Sequence, residues 1–221
     1  PHLLASPFAF ARHGQCGAPV SELLPHLATV VDKLAFVKSL HTTQFNHGPA
    51  QVFMNTGHQV TGRPSCGAWV HRALGSAAAD LPGFVVLVSG TLPSAGKSVF
   101  GSGFLPSSLQ GVQLRSQGDP VLYLQDPAGV DRAARQRMLA TGRDLDAMRF
   151  DEQGDPETAA RIAQAELAFR MQMSVPEAVD LASEPESIHR LYGTEPGKVS
   201  FANNCLLARR LVERGVRFVQ L

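Results

Sequence analysis

Three of the eight histidines lie close together in the sequence: His41, His47 and His58. Neutral imidazole is the commonest metal ligand in proteins, and imidazole also exchanges protons near neutral pH. Thr43 and Asn46 lie between the first two histidines and add a hydroxyl and an amide. The segment therefore offers the groups of a binding or catalytic site. The alternative is that each histidine is a capping or surface residue.

The elements predicted around these histidines would bring two of them to one place. Residues 21–31 have apolar positions at helical spacing, and the apolar run at 34–37 predicts a short buried strand. Residues 43–57 predict a second helix that ends at Gly57. Ligands of open α/β sheets bind beyond the carboxyl ends of strands, and helix N-termini favour anions. We thus expect His41 at the end of a strand and His47 near a helix start.

The rest of the chain predicts more helices and strands in alternation, which is typical of an α/β fold. Residues 66–74 predict a helix ended by Gly75, and the apolar run 84–88 predicts a strand covered on both faces of a parallel sheet. Residues 126–193 have helical patterns, and residues 216–221 alternate like a strand. A last helix would carry one apolar face, formed by Phe201, Cys205, Ala208 and Val212.

Residues 89–120 are rich in glycine and proline and predict a long loop, either functional or covering a sheet edge. Residues 90–98 approach a phosphate-binding P-loop, but the first glycine stands one residue too early, with Thr91 where glycine is required. Glycine and proline soon after Lys97 also oppose the helix that must begin there. A nucleotide hydrolase is therefore disfavoured, and no Gly-x-Ser-x-Gly motif supports a serine hydrolase.

Composition excludes several classes of protein. Lys and Arg number 20 against 19 Asp and Glu, so no basic surface for nucleic acid or an anionic membrane is indicated. Apolar residues make up 44% of the chain, which excludes intrinsic disorder. The apolar runs are far shorter than the ~20 residues that a membrane-spanning helix needs. Three widely spaced cysteines indicate neither a disulfide framework nor a thiolate zinc site.

The residues at both ends of the sequence indicate that the chain is a fragment of a longer protein. It starts at Pro1 without a signal pattern and stops at Leu221 inside a strand-like alternation. We therefore expect residues to be missing on both sides, so that absent motifs count only weakly against an activity.

Several blocks of sequence resemble domain-of-unknown-function family 1501. They include Asn46-His47-Gly48-Pro49-Ala50 and Arg63-Pro64-Ser65-Cys66-Gly67-Ala68-Trp69-Val70, and further blocks at 34–41, 55–57, 81–87, 101–106 and 205–220. This family resembles the sulfatase-like members of the alkaline phosphatase superfamily. The resemblance implies one partial alkaline-phosphatase-like domain over 1–221, incomplete at both ends, with a mixed, largely parallel sheet flanked by helices. It also implies a helical subdomain at about 126–195.

The resemblance further implies a divalent metal ion (Zn, Ca, Mg or Mn), held by Asp and His side chains that are expected mainly outside this chain. Sulfatases carry Cys/Ser-x-Pro-Ser-Arg, then four residues and Thr-Gly. Counting back from Thr56 and Gly57 places His47 at the nucleophile position, while Ala50 and Gln51 replace the Ser and Arg. Classical sulfatase chemistry needs that Cys or Ser. His47 is thus the candidate catalytic residue or metal ligand, with His41, Thr43 and Asn46 as candidate substrate-binding neighbours.

The resulting expectation is a fragment of an exported, sulfatase-like, metal-dependent hydrolase of small-molecule or carbohydrate esters of phosphate or sulfate. Export is implied by the family alone. The alternative is a non-catalytic binding or scaffolding protein that retains the fold, which the replaced nucleophile and arginine support. No nucleic-acid partner and no membrane span are expected.

Overall fold

The computed structural model describes residues 4–115 and 129–221. The chain divides into two units, of which the first ends at Thr43 and the second is Gln44–Leu221. Within the described ranges, no helix is both long enough and apolar enough to cross a membrane.

The first unit is built on a β-hairpin that the sequence patterns did not predict. Strands β1 (Phe10–His13) and β2 (Ala18–Ser21) pair antiparallel, and a short helix α1 (Pro25–Ala28) and a 3-10 turn (Val31–Lys33) follow. The Asp32 carboxylate accepts hydrogen bonds from the backbone N–H groups of Gln15 and Cys16, each at 2.9 Å. These bonds to Cys16 and then Gln15 hold the pKa of Asp32 below its usual value. The carboxylate therefore closes the turn of the hairpin.

Two predictions for the first unit are wrong. Residues 21–31 do not form one helix, and residues 34–37 have no regular structure. Val37 is 69% exposed, and among the described residues no strand pairs with this run. A short apolar run becomes a strand only where a neighbour takes its backbone hydrogen bonds, and periodicity does not reveal that neighbour.

The second unit contains a parallel sheet, so the mixed α/β class is confirmed. Its strand order is β4 (Val112–Leu114), β3 (Phe84–Leu87), β5 (Phe218–Gln220), and β3 pairs in parallel with both neighbours. All four residues of β3 are buried, which confirms the prediction of a strand covered on both faces. Strand β4 lies inside the predicted loop at 89–120.

Among its described residues, the second unit has six α-helices beside this sheet: α2 (His47–Thr56), α3 (Cys66–Leu74), α4 (Arg132–Gln153), α5 (Pro156–Val179), α6 (Glu186–Tyr192) and α7 (Phe201–Glu213). The N-caps of α3 and α7 are Ser65 and Ser200, whose side chains accept backbone N–H bonds. Helices α4 to α6 agree with the helical patterns of residues 126–193, of which 126–128 lie outside the described residues.

The core of the second unit has two layers, one on each face of the sheet. Val85, Leu87 and Leu114 face α5 and α7 on one side. On the other side, Phe84 and Val86 pack with the buried residues that follow β3, and the Phe84 ring meets the Phe218 ring edge-on, with centroids 5.2 Å apart. Burying each large side chain contributes about 1.5–3 kcal/mol, so this core fixes the carboxyl ends of β3 and β5.

Candidate functional site

Helix α2 begins at the position where the sequence predicts the site. Asn46 is its N-cap, in an extended conformation, and its Oδ1 accepts a hydrogen bond from Gly48 N at 3.2 Å. Pro49 has no N–H to donate. His47 is the first residue of the helix and is exposed, so its imidazole is accessible to a ligand.

The first half of α2 contacts the loop that follows β3. Gln51 Oε1 accepts hydrogen bonds from Ser94 Oγ at 3.0 Å and from Ala95 N at 3.1 Å. A Cβ placed on Gly48 would lie 3.9 Å from Ser94 Oγ, so the helix start is next to this loop. Gln51 stands where the sulfatase motif has arginine, and here its amide joins two elements.

The last turn of α2 contacts the end of β5. Gln220, the last residue of that strand, donates from Nε2 to Asn55 Oδ1 at 3.2 Å. Asn55 in turn donates from Nδ2 to the carbonyl of Gln51 at 2.9 Å. Helix α2 therefore links the loop after β3 to the carboxyl end of β5.

A cleft of about 240 Å³ opens at the carboxyl ends of β3 and β5. The polar residues among those that line it are Ser89, Thr91 and Gln220, and Phe201 of α7 also lines it. Among the described residues that line it, the remaining side chains are apolar and none is ionisable. This location is where ligands of parallel α/β sheets bind.

The four predicted site residues fall into two pairs. Asn46 and His47 stand together at the start of α2 in the second unit. His41 and Thr43 lie in the first unit, in a stretch without helix or strand, and both are exposed. The placement of His41 at a strand end is wrong because residues 34–37 form no strand. Its role in substrate binding, like that of Thr43, stays a prediction.

The described residues do not assemble a metal site. Within residues 4–115 and 129–221, no group of three or more His, Cys, Asp or Glu side chains is placed to hold an ion. His58, the third histidine of the cluster, instead accepts a hydrogen bond at Nδ1 from Val60 N at 3.1 Å. The divalent metal therefore stays a prediction.

Two other titratable side chains are perturbed by packing. Burial lowers the pKa of His71 on α3, whose Nδ1 is buried without a hydrogen-bond partner in the described part of the chain. Burial likewise raises the pKa of the Cys205 thiol on α7, which makes it less reactive. Both residues therefore belong to the packing of the helices.

Comparison with models of protein families shows which family the chain belongs to. The family model described as "Protein of unknown function (DUF1501)" matches residues 1–221. The chain belongs to this family. The DUF1501 resemblance predicted from the sequence blocks is thus confirmed. No curated protein and no solved structure matches the DUF1501 chain.

The structure of this DUF1501 chain also contains a polar residue that sequence reasoning missed. Asn204 on α7 is only 1% exposed, and its Nδ2 donates to Ser89 Oγ at 2.7 Å. Phe201, Cys205, Ala208 and Val212 share one side of α7 as predicted, but the buried side is a different one, because Phe201 is 62% and Val212 57% exposed. The signal that could have found Asn204 is its position three residues before Leu207 and seven before Leu211, on the side of the helix that both buried leucines share.

Proposed function

We propose that this chain is part of a sulfatase-like, metal-dependent hydrolase of phosphate or sulfate esters with an alkaline-phosphatase-like fold. The position of α2 carries the proposal. The segment that aligns with the sulfatase motif begins a helix at His47, and this helix contacts the residues that follow β3 and end β5. In α/β proteins, a helix start near the carboxyl ends of parallel strands is a favourable place for an anionic ligand.

His47 would act on the leaving group of the ester. Hydrolysis breaks a P–O or S–O bond, adds water, and releases an alcohol whose oxygen must regain a proton. An imidazolium at His47 would donate that proton, since its side chain is exposed at the helix start. A bound divalent metal would polarise the ester oxygens, with ligands from outside the described residues.

A second candidate is a non-catalytic binding protein that retains the fold. One specific observation favours it: Gln51, at the position of the motif arginine, uses its side-chain oxygen to hold Ser94 and Ala95. A side chain engaged in packing in this way does not replace the anion contact that arginine makes. Export to the periplasm or beyond, implied by the family resemblance, stays a prediction under both candidates.

The test is hydrolysis by the intact protein supplied with Zn²⁺, Ca²⁺, Mg²⁺ or Mn²⁺, with 4-nitrophenyl phosphate and 4-nitrophenyl sulfate as substrates. We expect turnover of at least one ester, and a loss of about 10²-fold or more in kcat/KM for His47→Ala. His26→Ala, at another exposed histidine, is the matched control and should keep full activity. Folded protein that turns over neither ester with any metal would favour the binding protein. Equal activity of His47→Ala and wild type would remove His47 from the mechanism.

A further inference from the structure

One side of α4 has a row of side chains in the pattern of a helix that pairs with another helix. We propose that this row binds the same row of a second copy of the chain, so that two α4 helices pair antiparallel in a homodimer. The row lies on a different helix from His47 and its pairing requires no ester hydrolysis, so the proposal goes beyond the proposed function.

The row, which we call the α4 seam, has the spacing of a coiled-coil helix. Its members follow one another at alternating intervals of four and three residues: Ala134, Met138, Thr141, Leu145 and Met148. This alternation keeps side chains along one line of a helix and lets them interlock with a second helix. The three large members are exposed, at 58% for Met138, 57% for Leu145 and 62% for Met148. Exposed apolar side chains that form a line, and are not scattered singly, are typical of an interaction surface.

Helix α5 packs against a different side of α4. Arg143 lies two residues before Leu145, which places it on the opposite side of the helix from that member of the seam. Its Nη1 lies 3.8 Å from Oε1 of Glu166 on α5. The exposure of the seam is therefore not a defect in the packing of α4 against α5, because α5 covers another side of the helix.

The charges of α4 indicate that its partner is a second copy. Residues 132–141 contain three Arg and no acidic residue, whereas residues 142–153 contain four acidic residues and two Arg. This order opposes the helix dipole, which favours acidic side chains in the first turn and basic side chains in the last. A second α4 in antiparallel orientation places its acidic half beside the basic half of the first helix, and its basic half beside the acidic one. The pairing thus compensates an arrangement of charge that disfavours α4 alone.

One register of the antiparallel pair fits the sizes of the seam residues. With a two-fold axis near Ala140, Met138 faces Thr141 of the second copy. In the same register Leu145 faces Ala134 of the second copy. Each large side chain therefore meets a small one, which is how facing positions of paired helices fill space without overlap.

The same register also pairs opposite charges beside the seam. Arg137 is exposed and directly precedes the seam residue Met138, and Asp144 directly precedes Leu145. The two-fold axis brings Arg137 of each copy beside Asp144 of the other. Within its own chain Asp144 lies 3.3 Å from Arg143, but its side chain is 72% exposed, so that ion pair is weak. The carboxylate of Asp144 can therefore also take the arginine of a second copy.

The experiment is sedimentation equilibrium of the intact protein from about 1 to 200 µM, with circular dichroism to check the helix content of each variant. One pair of helices buries less surface than a standard interface of about 800 Å² per partner, so we expect a reversible dimer with a midpoint at roughly 10–100 µM. Leu145→Ser should weaken the dimer about tenfold or more, because the two-fold axis removes the side chain twice. Leu191→Ser, at a leucine of α6 that is 71% exposed, should dimerise like wild type.

Exchange of charges tests the orientation of the helices. Arg137→Glu and Asp144→Arg should each dimerise about tenfold or more weakly than wild type, because each variant alone brings like charges together twice. An equimolar mixture of the two variants should dimerise like wild type, because each contact between positions 137 and 144 then joins opposite charges. Misfolded chains would not recover in this way.

Three outcomes would overturn the proposal. The first is protein that stays monomeric up to about 200 µM, well above the concentrations at which a weak interface forms. The second is a dimer that Leu145→Ser leaves unchanged. The third is a mixture of Arg137→Glu and Asp144→Arg that dimerises no better than either variant alone.

Discussion

Removing the guanidinium of Arg210 should destabilise the second unit strongly, because this side chain of α7 donates hydrogen bonds to the last carbonyls of α5. Arg210 Nε donates to the carbonyl of Ala178 and Nη2 to that of Glu177, both at 2.9 Å. Both carbonyls belong to the last turn of α5, whose C=O groups have no partner within the helix. Arg210 Nη1 also pairs with Glu184, which follows the 3-10 turn after α5.

The expected magnitude follows from burial. The side chains of Arg210 and Glu184 are 8% and 9% exposed. Removing one partner of a buried ion pair costs about 3–5 kcal/mol, because the other charge stays buried without a partner. Glu184 would keep Arg209, whose Nη2 lies 2.8 Å from its Oε2, so we expect the lower end of that range for Arg210→Ala. A loss of about 3 kcal/mol corresponds to a fall of roughly 6–12 °C in Tm for a chain of this size.

The assay is urea unfolding followed by circular dichroism, with Arg214→Ala as the matched control. Arg214 is the C-cap of the same helix, and its Nη2 lies 3.4 Å from Glu177 Oε1, but that carboxylate is 80% exposed. An exposed pair contributes about 0–1 kcal/mol, so the control should lose little. Arg210→Met keeps an apolar stem and separates lost packing from lost charge. If Arg210→Ala lost no more stability than Arg214→Ala, the buried pair would not be what holds α5 to α7.

Three further perturbations test other contacts. Burial lowers the pKa of His71 in the folded protein, so the unfolded chain takes up the proton at a higher pH than the folded chain. The free energy of unfolding should therefore fall as the pH drops below about 6.5, the ordinary histidine pKa, and on through the lower pKa of the folded state. His71→Gln should flatten this pH dependence in urea unfolding. Gly67→Ala would place a Cβ 2.5 Å from the Phe84 ring and should cost about 1–3 kcal/mol in the same assay. Asn46→Ala loses the bond from Gly48 N and should cost about 1 kcal/mol in thermal unfolding, while Asn46→Asp keeps the cap.

Local signals predicted the elements whose ends are determined by their own residues. Helix α3 begins after Ser65, whose hydroxyl accepts from Ala68 N, and is followed by Gly75 with φ 64°. Helix α2 ends at Gly57, which adopts the left-handed conformation that glycine reaches without strain. In both cases the cap residue and the helix are neighbours in sequence, so a pattern read along the chain contains all the information needed.

Elements that depend on distant partners were missed or misplaced. Strand β4 is three residues long and exists because Val112 to Leu114 pair with β3, which no local pattern reveals. The buried side of α7 was not predicted for the same reason. Its buried side holds Asn204, whose partner Ser89 is 115 residues away in sequence. Polar residues count as exposed in any periodicity argument, so a buried amide such as that of Asn204 is the kind of residue that such an argument overlooks.

The same distinction explains which part of the candidate site was predicted. His47 was predicted near a helix start, but the helix was expected from residue 43; it begins at His47 because Asn46 caps it, a local signal that the prediction did not use. The cleft was not predicted, because it requires the ends of β3 and β5 and the first turn of α7 to meet in space.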